Sequence, residues 1–214
     1  MSEQKLELFD LLDDISLKTD FYLEEDVELQ TKEAKRAMKN YFRHIQVRSS
    51  AATLLLVKFG QVEASKVNQG LIDTQLNAFM KDMNTDIEYT KQILVDAGIT
   101  SLVNVTGGVK GTIKITSPTG FQFINIIKLW DVLNINLTTL YMRQEIGQEE
   151  IIKSTTQWHH RFKKFNNLVE RLSVTAYSAT EKLKNESRQK TEQRKIDLKR
   201  LDEKKAARRK SKAA

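Results

Sequence analysis

The stretch that most constrains the fold is residues 111–130, where the pattern of a strand passes directly into that of a helix. Between residues 112 and 116 three polar side chains alternate with two isoleucines, and β-branched residues at a period of two are typical of a half-buried strand. Ser117 supplies a hydroxyl suited to an N-cap, and Pro118, the only proline in the chain, fits the first position of a helix. The sequence therefore predicts a short strand that leads into a long helix.

Helical patterns account for most of the rest of the chain. Apolar side chains recur at helical spacing from Leu29 to Phe59, which predicts helix there. The same spacing recurs over residues 61–97, and we expect this second stretch to form one or two helices. Residues 121–142 are apolar on several sides, so we expect this helix to be buried on more than one face. A further helix begins at Gln148. The predicted fold is mainly α, with one short β-ribbon strand at residues 111–117, N-terminal helices before it and two long helices after it.

Charge divides the chain into three parts. We expect an acidic flexible arm over residues 1–29, a single helical domain over residues 30–183, and a basic charged helix or tail over residues 184–214. Residues 1–30 have a net charge of −8 and residues 181–214 one of +8, so the middle of the chain retains the whole formal surplus of +7. The arm is either a solvated tail or a self-masking segment that mimics the charge of nucleic acid and docks on the basic body.

Residues with catalytic chemistry are scarce. The chain has no cysteine, which excludes disulfides, thiolate catalysis and cysteine-based zinc sites. His159 and His160 are adjacent and would point to different faces of a helix, while His44 is distant, so we expect no metal site. The glycine-rich residues 107–111 lack the spacing and the ending of a phosphate loop. We therefore expect a protein that is not an enzyme and that uses neither a cofactor nor a small-molecule substrate.

Membrane attachment is not expected either. No apolar run approaches the ~20 residues needed to cross a bilayer, and the acidic N-terminus lacks the pattern of a signal peptide. These features predict a cytoplasmic protein.

The polar face of the strand suits DNA recognition. Two copies of residues 112–116 can pair antiparallel across a two-fold axis, because the sequence of residue types reads the same in both directions. Such a two-stranded ribbon fits the major groove of B-DNA, where Thr112, Lys114 and Thr116 would read base edges. The other pairing that stays open is an ordinary hairpin with residues 102–106.

Phosphate contacts are expected around the ribbon and along the basic tail. The start of the helix after the strand exposes backbone amides that suit a phosphate. Lysine and arginine residues near the C-terminus add attraction that does not depend on base sequence. The expected phosphate-binding residues are Lys110, Ser117, Thr119, Arg188, Arg194, Lys195, Arg208 and Arg209.

The order strand, N-cap, helix, turn, helix is the layout of a ribbon-helix-helix protein. From Gly111 to about Leu172 the segments Ile-Lys-Ile-Thr-Ser-Pro, Leu-Trp-Asp-Val-Leu and Leu-Thr-Thr-Leu-Tyr are similar to the AcaB-type family of conjugative plasmids and integrating conjugative elements. The resemblance implies a ribbon-helix-helix-related fold and transcriptional activation of transfer genes. At matching positions it points to Thr112, Lys114 and Thr116, and it does not extend to the acidic arm or the basic tail.

The resulting prediction is a homodimeric, sequence-specific DNA-binding regulator that activates conjugative transfer genes on a mobile element. Its expected partners are double-stranded DNA and a second copy of the chain, with the transcription machinery as a further candidate and no membrane. The alternative is a non-enzymatic helical interaction or accessory protein of the conjugation machinery, which would bind a protein partner through residues 121–172. A salt titration distinguishes the two, because only the regulator keeps a preference between DNA sequences.

Overall fold

The computed structural model describes residues 22–213, including the side chains of residues 22–198 and of Arg200. This part of the chain forms long helices and one two-stranded sheet, which confirms the mainly helical class. In chain order the elements are β1 (Leu23–Leu29), α1 (Lys32–Ala37, the π-helical turn Met38–Phe42 and Arg43–Lys58), α2 (Val62–Asp96), β2 (Val109–Ile115), α3 (Pro118–Met142) and α4 (Gln148–Ala213).

The helix α3 begins where the sequence predicted it to begin. The Ser117 hydroxyl accepts a hydrogen bond of 3.0 Å from the Gly120 amide, and Pro118 is the first helical residue. The helix lies at the centre of the fold, because it packs mainly against α2 and also contacts α1 and α4. Phe123 and Ile127 are among its many buried side chains, so the predicted burial on more than one face is confirmed.

An aromatic cluster joins the four helices. Trp158 of α4 stacks on Phe79 of α2 with ring centroids 5.4 Å apart, and Trp130 of α3 lies 6.2 Å from the Trp158 ring. Phe162, one turn later in α4, lies 5.8 Å from Tyr41 of α1. Trp130, Trp158 and Phe162 are fully buried, so this cluster forms the centre of the core.

The apolar side chains between residues 121 and 172 are used within the chain itself. Those that the alternative hypothesis required for a protein partner, among them Phe123, Trp130 and Phe165, are buried in the core that α1 and α2 complete. Five large apolar side chains of residues 121–172 remain exposed, and two of them, Tyr141 and Met142, are adjacent. The interaction-protein hypothesis therefore keeps only a small part of the apolar surface on which it was based.

The strand β2 has its partner in its own chain. It pairs antiparallel with β1, in a register that places Leu23 opposite Ile115. Residues 102–106 form no strand, so the hairpin with that segment is wrong. The two-stranded sheet instead joins segments that are far apart in the sequence.

The strand β1 lies in the segment that we assigned to the flexible arm. Val27 and Leu29 point into the core, while the acidic side chains that alternate with them point outward. This alternation is that of a half-buried strand, but aspartate and glutamate are depleted in strands, and their density concealed the pattern. The rest of the arm, residues 1–21, lies outside the described residues.

The helix α4 leaves the body after its first half. Thr180 is its last buried side chain among the described residues, and the Lys184 ammonium lies 5.3 Å from the centroid of the Phe59 ring, just after α1. The described side chains beyond Lys184 are exposed, so the predicted basic tail is the free end of one helix. At 1.5 Å per residue this end is ~45 Å long. Neither α4 nor any other helix between residues 22 and 213 is both long and apolar enough to cross a membrane.

Candidate nucleic-acid interface

The outer face of the β1–β2 ribbon carries a row of basic and polar side chains beside a row of acidic ones. Because side chains alternate along a strand, every second residue of each strand points to solvent. Ile113 and Ile115 of β2 point into the core instead. The outward residues are Lys110, Thr112 and Lys114 of β2, and Glu24, Asp26 and Glu28 of β1.

Each outward residue of β2 lies directly opposite an acidic residue of β1. The Lys110 ammonium is 2.8 Å from the Glu28 carboxylate, and the Thr112 hydroxyl donates a hydrogen bond of 2.7 Å to Asp26. The Lys110 and Glu28 side chains are 71% and 46% exposed, so this ion pair is in solvent and contributes little to stability. These groups of β2 are accessible, but each already has an acidic neighbour.

Lys114 is held differently from the rest of its row. The register places it opposite Glu24, and its ammonium lies 4.8 Å from the centroid of the Tyr22 ring. A cation over an aromatic ring at an exposed site is held weakly, so Lys114 can exchange this contact for a ligand.

The outward residues Lys110, Thr112 and Lys114 form the outer row of β2. The predicted residues after Lys114 do not lie in this row. Thr116 comes after the last residue of β2 and is half-buried, and the Ser117 hydroxyl is engaged in the N-cap of α3. Thr119 is 2% exposed, so its side chain is not available to a phosphate. The outer row therefore contains only three of the residues that the sequence placed around the ribbon.

Gln46 of α1 closes one edge of β2. It is buried, its Nε2 donates to the carbonyl of Lys114 at 3.2 Å, and its Oε1 accepts from the amide of Thr116 at 3.1 Å. Residues two apart on a strand present their backbone groups to the same edge, so Gln46 occupies the edge of β2 that faces away from β1. In the predicted dimer, the β2 strand of a second chain would pair with Thr112 opposite Thr116. That pairing would need the same backbone carbonyl of Lys114 and amide of Thr116. The ribbon in this structure is built by one chain, and the ribbon-helix-helix arrangement is not confirmed.

Gly120 makes room for this contact, because a Cβ atom there would lie 2.5 Å from the Gln46 Oε1. We expect Gly120→Ala to displace the side-chain amide of Gln46 and to lower the free energy of unfolding by about 1–3 kcal/mol. This loss outweighs the better helix propensity of alanine. Gly70→Ala in α2 is the matched control, since nothing lies within 4 Å of its added Cβ, and there we expect a gain of about 0.5–1 kcal/mol. Urea unfolding followed by circular dichroism measures both, and a stabilised Gly120→Ala variant would contradict the role of Gln46.

The free end of α4 leaves the body beside the end of α1. A groove of about 330 Å³ lies between Val57 near the end of α1, the start of α2, and Ser117 and Pro118. Lys184 lies over the ring of Phe59, which is two residues after Val57. The basic end of α4 therefore begins beside Phe59, at the end of α1.

The predicted basic residues of this end are spread along the free helix. Arg188, Arg194 and Lys195 have exposed side chains, and Arg208 and Arg209 belong to α4 but their side chains lie outside the described ones. Cations on a projecting helix are suited to attraction along a duplex and not to reading bases.

The histidines contribute to helix packing. His159 Nε2 lies 2.7 Å from the Glu33 carboxylate, and His44 Nδ1 lies 2.7 Å from the side-chain oxygen of Asn166, so both join α4 to α1. His160 is exposed on another face of α4, as the sequence predicted for adjacent helical residues. Among the described residues no group of three histidine or acidic side chains is placed to hold a metal ion.

Asp131 of α3 is, like Gln46, a buried polar residue that the sequence analysis did not predict. It is 6% exposed and accepts three hydrogen bonds, from the Gln30 amide at 2.8 Å, the Thr31 amide at 2.7 Å and the Thr31 hydroxyl at 2.6 Å. These donors lie between β1 and α1, so Asp131 fastens that junction to the central helix. The available signal was a carboxylate in a helix that is expected to be buried on more than one face, where a charge needs hydrogen-bond partners.

The fold has a counterpart among solved structures. The crystal structure of selenomethionine-containing AcaB from uropathogenic E. coli matches with a TM-score of 0.72 and 20% sequence identity, over 77% of this chain and 86% of that chain. No protein-family model and no curated protein matches the sequence. The resemblance to the AcaB-type family is confirmed at the level of the fold.

Proposed function

We propose that the protein is a DNA-binding transcriptional regulator of the AcaB type, which activates conjugative transfer genes on a mobile element. The observation that carries the proposal is the AcaB fold, which extends over 77% of the chain. The sequence resemblance to the same family was recognised from segments of β2 and α3, and the structural likeness supports it independently of those motifs. This role requires neither a catalytic group nor a cofactor.

The ribbon supplies the proposed reading surface. A two-stranded ribbon has the dimensions of the major groove, and β1 and β2 form one without a second chain. We propose that Thr112 and Lys114 contact base edges and that Lys110 contacts phosphates. The half-buried Thr116 lies at the rim of this surface.

The free end of α4 supplies the proposed non-specific attraction. Its exposed Arg188, Arg194 and Lys195 lie on a helix that leaves the body beside the end of α1, and the same role is proposed for Arg208 and Arg209. A second copy of the chain would double the number of phosphate contacts and thereby steepen the salt dependence of binding. We propose such a homodimer. Its two chains would not pair through β2 with Thr112 opposite Thr116, because Gln46 occupies that edge of β2. We also propose that the protein contacts the transcription machinery.

The substitution Lys114→Ala tests the proposal. Wild-type protein is first used to select an operator duplex from a library of randomised duplexes, and fluorescence anisotropy then gives the affinity of each variant. We expect Lys114→Ala to weaken operator binding by about 5- to 150-fold, because one good base contact is lost. Lys81→Ala on α2 is the matched control, since it removes the same charge from an exposed site away from the ribbon.

The result can contradict the proposal in two ways. If both lysine variants bind the operator equally well while circular dichroism shows that they are folded, Lys114 does not read bases. If the wild-type protein selects no duplex from the library, the regulator function itself is wrong.

A further inference from the structure

We infer that the acidic row of β1 (Glu24, Asp26 and Glu28) determines how selectively the ribbon binds DNA, by competing with phosphates for the polar groups of β2. The inference rests on the proposed function, because selectivity requires that the ribbon bind DNA. It concerns residues that the family resemblance does not cover and that have a solvent-exposed position on the proposed reading surface.

The contacts of the acidic row are imposed by strand pairing. The register places Glu28 opposite Lys110 and Asp26 opposite Thr112, and the groups meet at 2.8 Å and 2.7 Å. An ammonium and a hydroxyl are the donors that a phosphate oxygen would use, so the carboxylates occupy the places of phosphates. A phosphate can approach Lys110 or Thr112 only after the carboxylate has given up its contact.

The charge balance of the face strengthens this competition. The outer face holds three carboxylates and two ammonium groups, so it does not attract a polyanion by net charge. Every duplex presents the same phosphates, and the acidic row therefore weakens binding to all base sequences. At a matching site the loss is offset, because a carboxylate can accept a hydrogen bond from the amino group of cytosine, which no phosphate offers. The difference between matching and unrelated sites becomes larger.

Cross-strand stabilisation is the other explanation of the same contacts, since opposite charges on paired strands favour a sheet. The two explanations differ in what they predict. Stabilisation alone predicts that neutral side chains loosen the ribbon and weaken binding to every duplex. Competition predicts that they strengthen binding to unrelated duplexes.

The experiment uses the full chain with the triple substitution Glu24→Gln, Asp26→Asn and Glu28→Gln, which removes three negative charges and keeps the side-chain shapes. A triple control carries Glu63→Gln, Glu88→Gln and Glu181→Gln, three exposed helical residues outside the ribbon. Its net charge changes by the same amount. Affinities are measured by fluorescence anisotropy at one salt concentration, for the selected operator duplex and for a scrambled duplex of equal composition.

We expect the ribbon variant to bind the scrambled duplex roughly tenfold more tightly, while its affinity for the operator changes by less than about threefold, since each exposed pair has a modest effect. The control should tighten both complexes by no more than about twofold. The ratio of operator to scrambled affinity then falls only in the ribbon variant.

Other results overturn the inference. If the ribbon variant and the control change alike, the effect is one of net charge, and the proposed function stands without the inference. If the ribbon variant binds both duplexes more weakly and melts at a lower temperature, the acidic row is structural. If the wild-type protein prefers the operator no more than the scrambled duplex, the proposed function and the inference both fail.

Discussion

Replacing Trp158 with alanine is expected to lower the free energy of unfolding by about 3–5 kcal/mol, because the side chain is the centre of the core. Trp158 is fully buried, stacks on Phe79, and donates a hydrogen bond of 2.9 Å from its indole nitrogen to Asp86. Arg161 lies over the same ring at 4.6 Å from the centroid. The truncation leaves a cavity between α2, α3 and α4, which the packed aromatic rings cannot fill without moving.

The measurement is urea unfolding followed by circular dichroism and tryptophan fluorescence, with thermal melting as a second observable. The matched control is Tyr177→Ala, which removes an aromatic side chain that is 50% exposed on the same helix and should cost less than about 1 kcal/mol. Equal losses for Trp158→Ala and Tyr177→Ala would show that the aromatic cluster is not the centre of the core.

Replacing Asp131 with alanine is expected to cost about 3 kcal/mol, because three donors lose their acceptor at once. The Gln30 and Thr31 amides lie just before the first residue of α1, where backbone donors have no partner within the helix. The Thr31 hydroxyl also accepts from the Ala34 amide as the N-cap, and loss of Asp131 frees the side chain that makes this bond. We therefore expect the junction between β1 and α1 to loosen before the rest of the molecule.

Two measurements check this expectation. Urea unfolding gives the total loss, and amide hydrogen exchange should show faster exchange in β1 and the first turn of α1 than in α3. Asp96→Ala is the matched control. Within the described part of the chain Asp96 accepts only from the exposed Gln92 side chain near the end of α2, so its loss should change stability by less than about 0.5 kcal/mol. Uniform acceleration of exchange across the molecule would contradict a local role for Asp131.

The same junction links stability to the proposed function. β1 carries the acidic row on its outer face and is continuous with the donors that Asp131 binds. A variant that releases this junction is expected to release the acidic row as well. Asp131 thus supports the ribbon from the buried side, while Gln46 supports it from the edge of β2.

Local patterns were sufficient for part of the fold. The N-cap at Ser117, the start of α3 at Pro118 and the deep burial of α3 all follow from residues within a few positions of one another. Hydrogen bonds of a cap and the spacing of apolar residues are set by neighbours in the sequence, so the sequence alone could predict them. The different faces of His159 and His160 follow from the same local geometry.

The sequence by itself therefore determined that a strand leads into a buried helix with basic and polar residues on the outer face of the strand. Only the tertiary structure decided the partner of that strand, because β1 and β2 are separated by the whole of α1 and α2. It also decided that Gln46 closes the edge of β2, that Asp131 binds Thr31, and that acidic residues face the basic row. The physical reason is that strand pairing and buried hydrogen bonds depend on which distant segments the packed core brings within hydrogen-bond distance, and a local pattern contains no such distances.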